Sequence, residues 1–209
     1  MPHIQDHSIP MILTELFYGT TNNAWDVALP FDQVWQQYRR LITDHGVIVL
    51  FGQEPFSSQL RMSNLKMYRY DWIWETSGAQ GFLSANQIPL RDHENISIFY
   101  KHLPIYYPQF TQGKPYFHKK PKPPANYSCK KHIEIDNVDG KRYPRSVIYF
   151  VNSDHAKNNF HPTQKPVDLL AYLIKIYTGQ EMTVYGHWLF EHILTWCSYP
   201  LWCALLVSI

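Results

Sequence analysis

Several things are scarce in this 209-residue sequence, and each scarcity closes a class. Only three cysteines occur, Cys129, Cys197 and Cys203, in no zinc-binding spacing and no disulfide framework. No lysine- or arginine-led apolar stretch opens the chain, so a secretory leader is not expected and a cytoplasmic protein is the default. The last apolar segment, from Ile193, runs seventeen residues and is broken by Ser198 and Pro200, short of a membrane span. No Asp, Glu, Lys or Arg follows Glu191. What is present suits a folded domain: 45% hydrophobic and 16% aromatic residues are enough to build a core.

The net charge of +2 hides an uneven distribution. Residues 101–145 carry a local +7, and the remainder carries −5. A concentrated basic segment suits a phosphate-facing surface, and it equally suits a solvated loop.

Periodicity supplies the architecture. "PMILTELFYGTTNN" opens with a short apolar strand core, Met11–Leu13, that breaks into turn residues at Gly19. Phe31, Val34, Trp35, Tyr38 and Leu41/Ile42 recur at helical spacing behind Pro30, and Gly46 marks the end of that helix. "VIVLF" is apolar without alternation, as a central parallel strand should be. "EPFSSQLRMSNL" predicts a shorter helix, while "KMYRYDWIWE", "ENISIFYK" and "RSVIYFVN" predict strands. "KPVDLLAYLIKIYT" places Val167, Leu170, Leu173/Ile174 and Tyr177 on one helical stripe. Alternating strands and helices predict an α/β fold with an open, mostly parallel sheet, whose ligands sit beyond the carboxyl ends of the strands. The turn "ELFYGTTNN" lies at such an end.

That turn contains a set of groups suited to one chemistry. The lone pair of an exocyclic amine on a nucleobase is delocalised into the ring. A site that methylates it must accept hydrogen bonds from the NH2 group and hold an extruded base against a flat surface. Glu15, the backbone carbonyl of Leu16, and Tyr18 offer two acceptors and a ring, with Gly19 permitting a tight turn behind them. A Glu and a Tyr beside a strand end are common, so the bare residues say little.

Longer blocks say more. "MILTELFYGTTNNAWD" is similar to the opening of the β-type DNA amino-methyltransferases, whose tetrad is usually Asp-Pro-Pro-Tyr or Asp-Leu-Pro-Tyr. "GVIVLFGQEPFSSQLRMSN", "YDWIWETSGAQGFLSANQIPLRDHENISIFYK", "GKRYPRS" and "HPTQKPVDLLAYLIKIYT" resemble later family blocks in order, over roughly residues 4–178, with phage and prophage members looking nearest. The resemblance implies an incomplete Rossmann-like S-adenosylmethionine-dependent methyltransferase fold. It implies methyl transfer to adenine N6 or cytosine N4 in duplex DNA, in a restriction-modification or prophage setting. It assigns amine acceptance to Glu15 and the Leu16 carbonyl, base stacking to Tyr18, and cofactor contacts to His161, Thr163, Gln164 and Lys165, with Lys165 facing the methionine carboxylate. No metal is expected. Asn22, Asn23 and Trp25 are candidates for a loop over the base, and Trp72, Trp74 and Phe82 for core or pocket wall. Within the basic excursion at 101–145, Lys119, Lys120, Lys122, Lys130, Lys131, Lys141, Arg142 and Arg145 would mainly contact phosphate.

Two departures stand out. The tetrad reads Glu15-Leu16-Phe17-Tyr18, with Glu for Asp and Phe for Pro. A longer side chain moves the acceptor by about a bond length, and a displacement of ~1 Å costs on the order of a hundredfold in rate. Where the family has a strand ending in an acidic residue and a Gly-rich turn, this chain has "MTVYGHWLFEHILTW" with an isolated Gly186. Residues 1–178 are therefore read as the methyltransferase-like domain, and 179–209 as an atypical apolar tail from a disrupted C-terminal part. The rival function is a catalytically inactive DNA-binding remnant. A complementing chain or a homo-oligomer stays open, and no membrane partner is expected.

Overall fold

The computed structural model describes residues 4–20, 24, 26–119, 134–152, 164–179, 182–186 and 205–207. Two compact units emerge: Pro108–Arg145, and the rest of the chain.

The larger unit is built on a seven-stranded sheet, in the order β11-β10-β1-β2-β4-β3-β9. These strands are β1 (Ile9–Glu15), β2 (Ile42–Gly52), β3 (Tyr68–Gln80), β4 (Arg91–Phe99), β9 (Val147–Phe150), β10 (Val184–Gly186) and β11 (Leu205–Val207). All pairings are parallel except those of β4, which runs against both β2 and β3. The amino-terminal half of β4 therefore lies at the carboxyl ends of its neighbours.

Among the described residues, three helices cover the two faces. Met11 and Leu13 of β1, Val47, Val49 and Phe51 of β2, and Ile96 and Ile98 of β4 point toward α3 (Val167–Tyr177), which contributes Leu169, Leu170, Leu173 and Ile176. The intervening Ile12, Ile48 and Leu50 pack with Trp35, Tyr38 and Leu41 of α1 (Phe31–Leu41) and Leu60 of α2 (Phe56–Ser63). Two-sided burial explains why "VIVLF" shows no alternation: both faces of β2 are core. Deep in the α3 layer, Tyr177 accepts a hydrogen bond from Trp72 Nε1 at 2.8 Å and shares one with Tyr70 at 2.7 Å. Burial, with Tyr70 alongside, pushes the Tyr177 phenol well above its ordinary range.

One expectation needs correction. The first helix ends at Leu41, not Gly46. Ile42 is already extended at φ −71°, ψ 139°, and its side of β2 pairs with Ile9 of β1. Gly46 instead lies inside β2, where a Cβ would meet the Ile42 side chain at 2.6 Å; its role is close approach, not helix termination. Beyond residue 178 the described residues add β10 beside β1 and β11 beside β10. Val184 and Tyr185 are fully buried, so this apolar stretch satisfies the edge that β1 would otherwise expose.

The smaller unit holds two antiparallel ribbons, β5 (Thr111–Gln112) with β8 (Lys141–Arg142), and β6 (Tyr116–Lys119) with β7 (Glu134–Asn137). Arg142 stacks 4.4 Å from the centre of the Tyr116 ring. Its guanidinium donates to the carbonyls of Gly140 at 3.0 Å and Lys114 at 2.5 Å. This arginine braces the ribbons, unlike the phosphate contact expected of it.

Candidate active site

β1 ends at Glu15, level with Phe51 of β2. Across the sheet, Glu94 of β4 is level with Trp74 of β3. Lys165, just before α3, reaches into this end of the sheet. Its Nζ lies 2.9 Å from Glu15 Oε1 and 2.7 Å from Glu94 Oε2. The same ammonium stands 5.4 Å from the Phe51 ring centre and 5.6 Å from that of Trp74. Four adjacent strands, β1, β2, β4 and β3, thus each supply one side chain around a single lysine. Aromatic faces attract a cation, and two carboxylates compensate the loss of its water.

Burial is nearly complete. Side-chain exposure is 6% for Lys165, 12% for Glu94 and 21% for Glu15. Burial alone would disfavour the ammonium, but the charges of Glu15 and Glu94 and the hydrogen bonds to both hold the Lys165 pKa above its ordinary value. Glu15 responds differently. Burial raises its carboxyl pKa, Lys165 opposes this, and the neighbouring Glu94 charge adds to it. With all three groups ionised the cluster carries one excess negative charge.

The turn after β1 is held from behind. Gly19 sits at φ +65°, a conformation that glycine adopts without strain. The Asp26 carboxylate accepts the Gly19 N–H at 2.8 Å and the Thr20 N–H at 3.0 Å. Leu16 is buried against the α1/α2 layer, while Tyr18 is partly buried with its ring 5.0 Å from that of Phe56. The Tyr18 hydroxyl is buried beside Glu15, and burial, with the Glu15 charge, lifts its pKa well above the phenol range.

Of the residues nominated from the sequence, Glu15, Leu16, Tyr18 and Lys165 meet at one end of the sheet, with Gln164 adjoining Lys165 in the chain. His161, Thr163, Asn22, Asn23 and Trp25 lie outside the described residues, as do Lys120, Lys122, Lys130 and Lys131. Lys165 was expected to face a cofactor carboxylate; in the structure two of its three donors meet protein carboxylates. Trp72 is buried core, Trp74 walls the lysine, and Phe82 is exposed. Sequence reasoning missed Glu94 and Asp26. An acid directly before the apolar run "NISIF" was the available signal for Glu94. Asp26 offered none beyond its place after a turn.

A family model for DNA methylases of the N6/N4 type matches residues 18–185, most of the chain. The chain belongs to the DNA amino-methyltransferase family. No curated protein sequence matches it. Among solved structures, the complex of M1.HpyAVI with SAM is similar at 15% identity and TM-score 0.51, covering 87% of this chain and 72% of that one. M1.HpyAVI in another structure gives 11% identity and TM-score 0.57, covering 96% and 80%. The PvuII DNA methyltransferase, cytosine-N4-specific, gives 12% and 0.54, covering 89% and 69%. At such identities these likenesses speak for the fold, which is that of the Rossmann-like, S-adenosylmethionine-dependent methyltransferases. Among the described residues, no helix is long and apolar enough to cross a membrane, and no group of three or more His, Cys, Asp or Glu is placed to hold a metal ion.

Proposed function

We propose that this amino-methyltransferase family member methylates the N6 amino group of adenine in duplex DNA, more slowly than a member with the usual Asp-led tetrad. The observation that carries the reading is the placement of Glu15, Leu16 and Tyr18 at the carboxyl end of β1, with the following turn pinned by Asp26. Glu15 and the Leu16 carbonyl accept the amine hydrogens, so the nitrogen lone pair turns out of the ring plane. The exposed part of Tyr18 lies flat against the base. Adenine is chosen over cytosine on the family resemblance.

S-adenosylmethionine, when bound, supplies a sulfonium methyl. With Glu15, Glu94 and Lys165 ionised, the one excess negative charge at the end of the sheet where ligands bind suits a cationic donor. Gln164 and one remaining N–H of Lys165 are the described polar groups for its methionine portion. In the smaller unit, Lys141 and Arg145 are exposed and are the described residues proposed to meet phosphate.

A second reading, an inactive DNA-binding remnant, draws on β10. That strand ends at Tyr185-Gly186, without the acidic residue and Gly-rich turn of the family pattern. Transfer of a radiolabelled methyl group from S-adenosylmethionine to unmethylated duplex DNA, with base analysis and Tyr18→Ala as control, decides between them. Labelled N6-methyladenine above the control supports the enzyme. Salt-sensitive DNA binding with no label in folded protein supports the remnant.

A further inference from the structure

We infer that Glu94 is a positioning residue for the amine acceptor: it anchors the Lys165 ammonium in the aromatic enclosure, and the anchored ammonium fixes the Glu15 carboxylate. The inference rests on the proposed role of Glu15, but the coupling it asserts can be read without any reaction.

The geometry is specific. Lys165 Nζ stands 2.7 Å from Glu94 Oε2 and 2.9 Å from Glu15 Oε1, in a side chain only 6% exposed. Lysine has a flexible four-carbon stem, so a single partner would leave its head free to swing. Two carboxylates on different strands, with Phe51 and Trp74 on the flanks, define one position. Glu94 is held by β4, whose pairing with both β2 and β3 makes it an interior strand. Glu15 is the last residue of β1, opposite Phe51, and β1 is an interior strand too; the two carboxylates thus reach the ammonium from separate strands, and each limits where it can sit.

Chain length matters here. Glu15 is one methylene longer than the family's Asp and closes on Lys165 at 2.9 Å. Shortening it to Asp would withdraw the carboxylate by about a bond length and break that contact. The departure from the family tetrad is thus tied to an anchor on the other side.

The groups facing Glu15 are Lys165, Glu94 and Tyr18, with Asp26 behind the turn. Their signs give a signature that a merely structural role would not produce. Glu94→Gln removes a negative charge but keeps an amide oxygen to accept from the Lys165 ammonium, so Glu15 should give up its proton at lower pH, whereas Glu94→Ala removes the anchor as well and should forfeit that fall. Lys165→Met removes the positive charge, so Glu15 should hold its proton to higher pH. The test is 13C NMR of glutamate-labelled full chain, with the Glu15 carboxyl assigned by Glu15→Gln and titrated in each background. Opposite displacements in Glu94→Gln and Lys165→Met are expected. If Lys165→Met does not fold, Glu94→Gln alone decides: a downward displacement supports the coupling, and an unchanged or upward one overturns it. Where methyl transfer is measurable, Glu94→Ala should lower kcat more than Glu94→Gln with little change in KM for DNA, and the acid limb of Glu94→Gln should move with its NMR titration. Absence of transfer would count against the role of Glu15, whereas an unmoved Glu15 titration would count against Glu94.

Discussion

The two ends of the sheet hold similar ion pairs in opposite settings. At the carboxyl end, Lys165 and its two glutamates are almost removed from water. At the amino end of β2, Lys101 pairs with Asp44 at 3.1 Å, with side chains 63% and 71% exposed. A cavity of about 670 Å³ opens at this second end, lined by His7, Arg39, Asp44, Asn64 and Lys101 among others. A cavity alone would direct attention there. The physical chemistry directs it to the other end, because desolvated charge is costly to hold and therefore marks where an arrangement is constrained. The Lys101–Asp44 pair stays largely in water, where an ion pair contributes little.

The comparison is broken most directly by removing each lysine. Lys165→Met leaves two buried carboxylates without a cation and should cost roughly 3–5 kcal/mol of unfolding free energy, measured by urea denaturation. Lys101→Ala should leave the urea midpoint unchanged. Equal effects would erase the distinction between the two ends.

Next in size is the clamp behind the acceptor. Asp26→Ala removes the acceptor of two backbone N–H groups and should cost about 2 kcal/mol in the same assay. Trp72→Phe, which takes one donor from the buried Tyr177 hydroxyl, should cost about 1 kcal/mol. A smaller effect sharpens the picture at Glu15. Its pKa is raised in the folded state from an ordinary 4.5, so the native chain binds more protons than the unfolded chain in that window. The contribution of Glu15 to stability is fully present below 4.5 and is lost as pH rises through the raised value. Stability of the wild type relative to Glu15→Gln should fall across that interval, and a rise would reverse the assigned sign.

How much of this was legible beforehand depended on range. Val34, Trp35, Tyr38 and Leu41 announced α1 because helical spacing is local, and "VIVLF" announced a doubly buried strand for the same reason. The boundary at Ile42 was not legible, since a long-range pairing with Ile9 settles it. The site divided in the same way. Glu15, Leu16 and Tyr18 stand together in the sequence, and the strand end told where they would go. Glu94 and Lys165 are 71 residues apart, and only the reversed direction of β4 brings the glutamate to the carboxyl ends of the parallel strands. Arg142 looked like a phosphate ligand by charge, yet its donors meet backbone carbonyls within its own unit. Residue type predicts what a group can do, and topology decides which partner it meets.

The most direct measurement is single-turnover methyl transfer to duplex DNA by the wild type, Glu15→Gln and Lys101→Ala, with folding of each verified. The account predicts transfer to the adenine amino group, a loss on the order of a hundredfold in Glu15→Gln, and no change in Lys101→Ala. Equal rates for wild type and Glu15→Gln would contradict it, because the acceptor at the end of β1 would then not be where the chemistry happens.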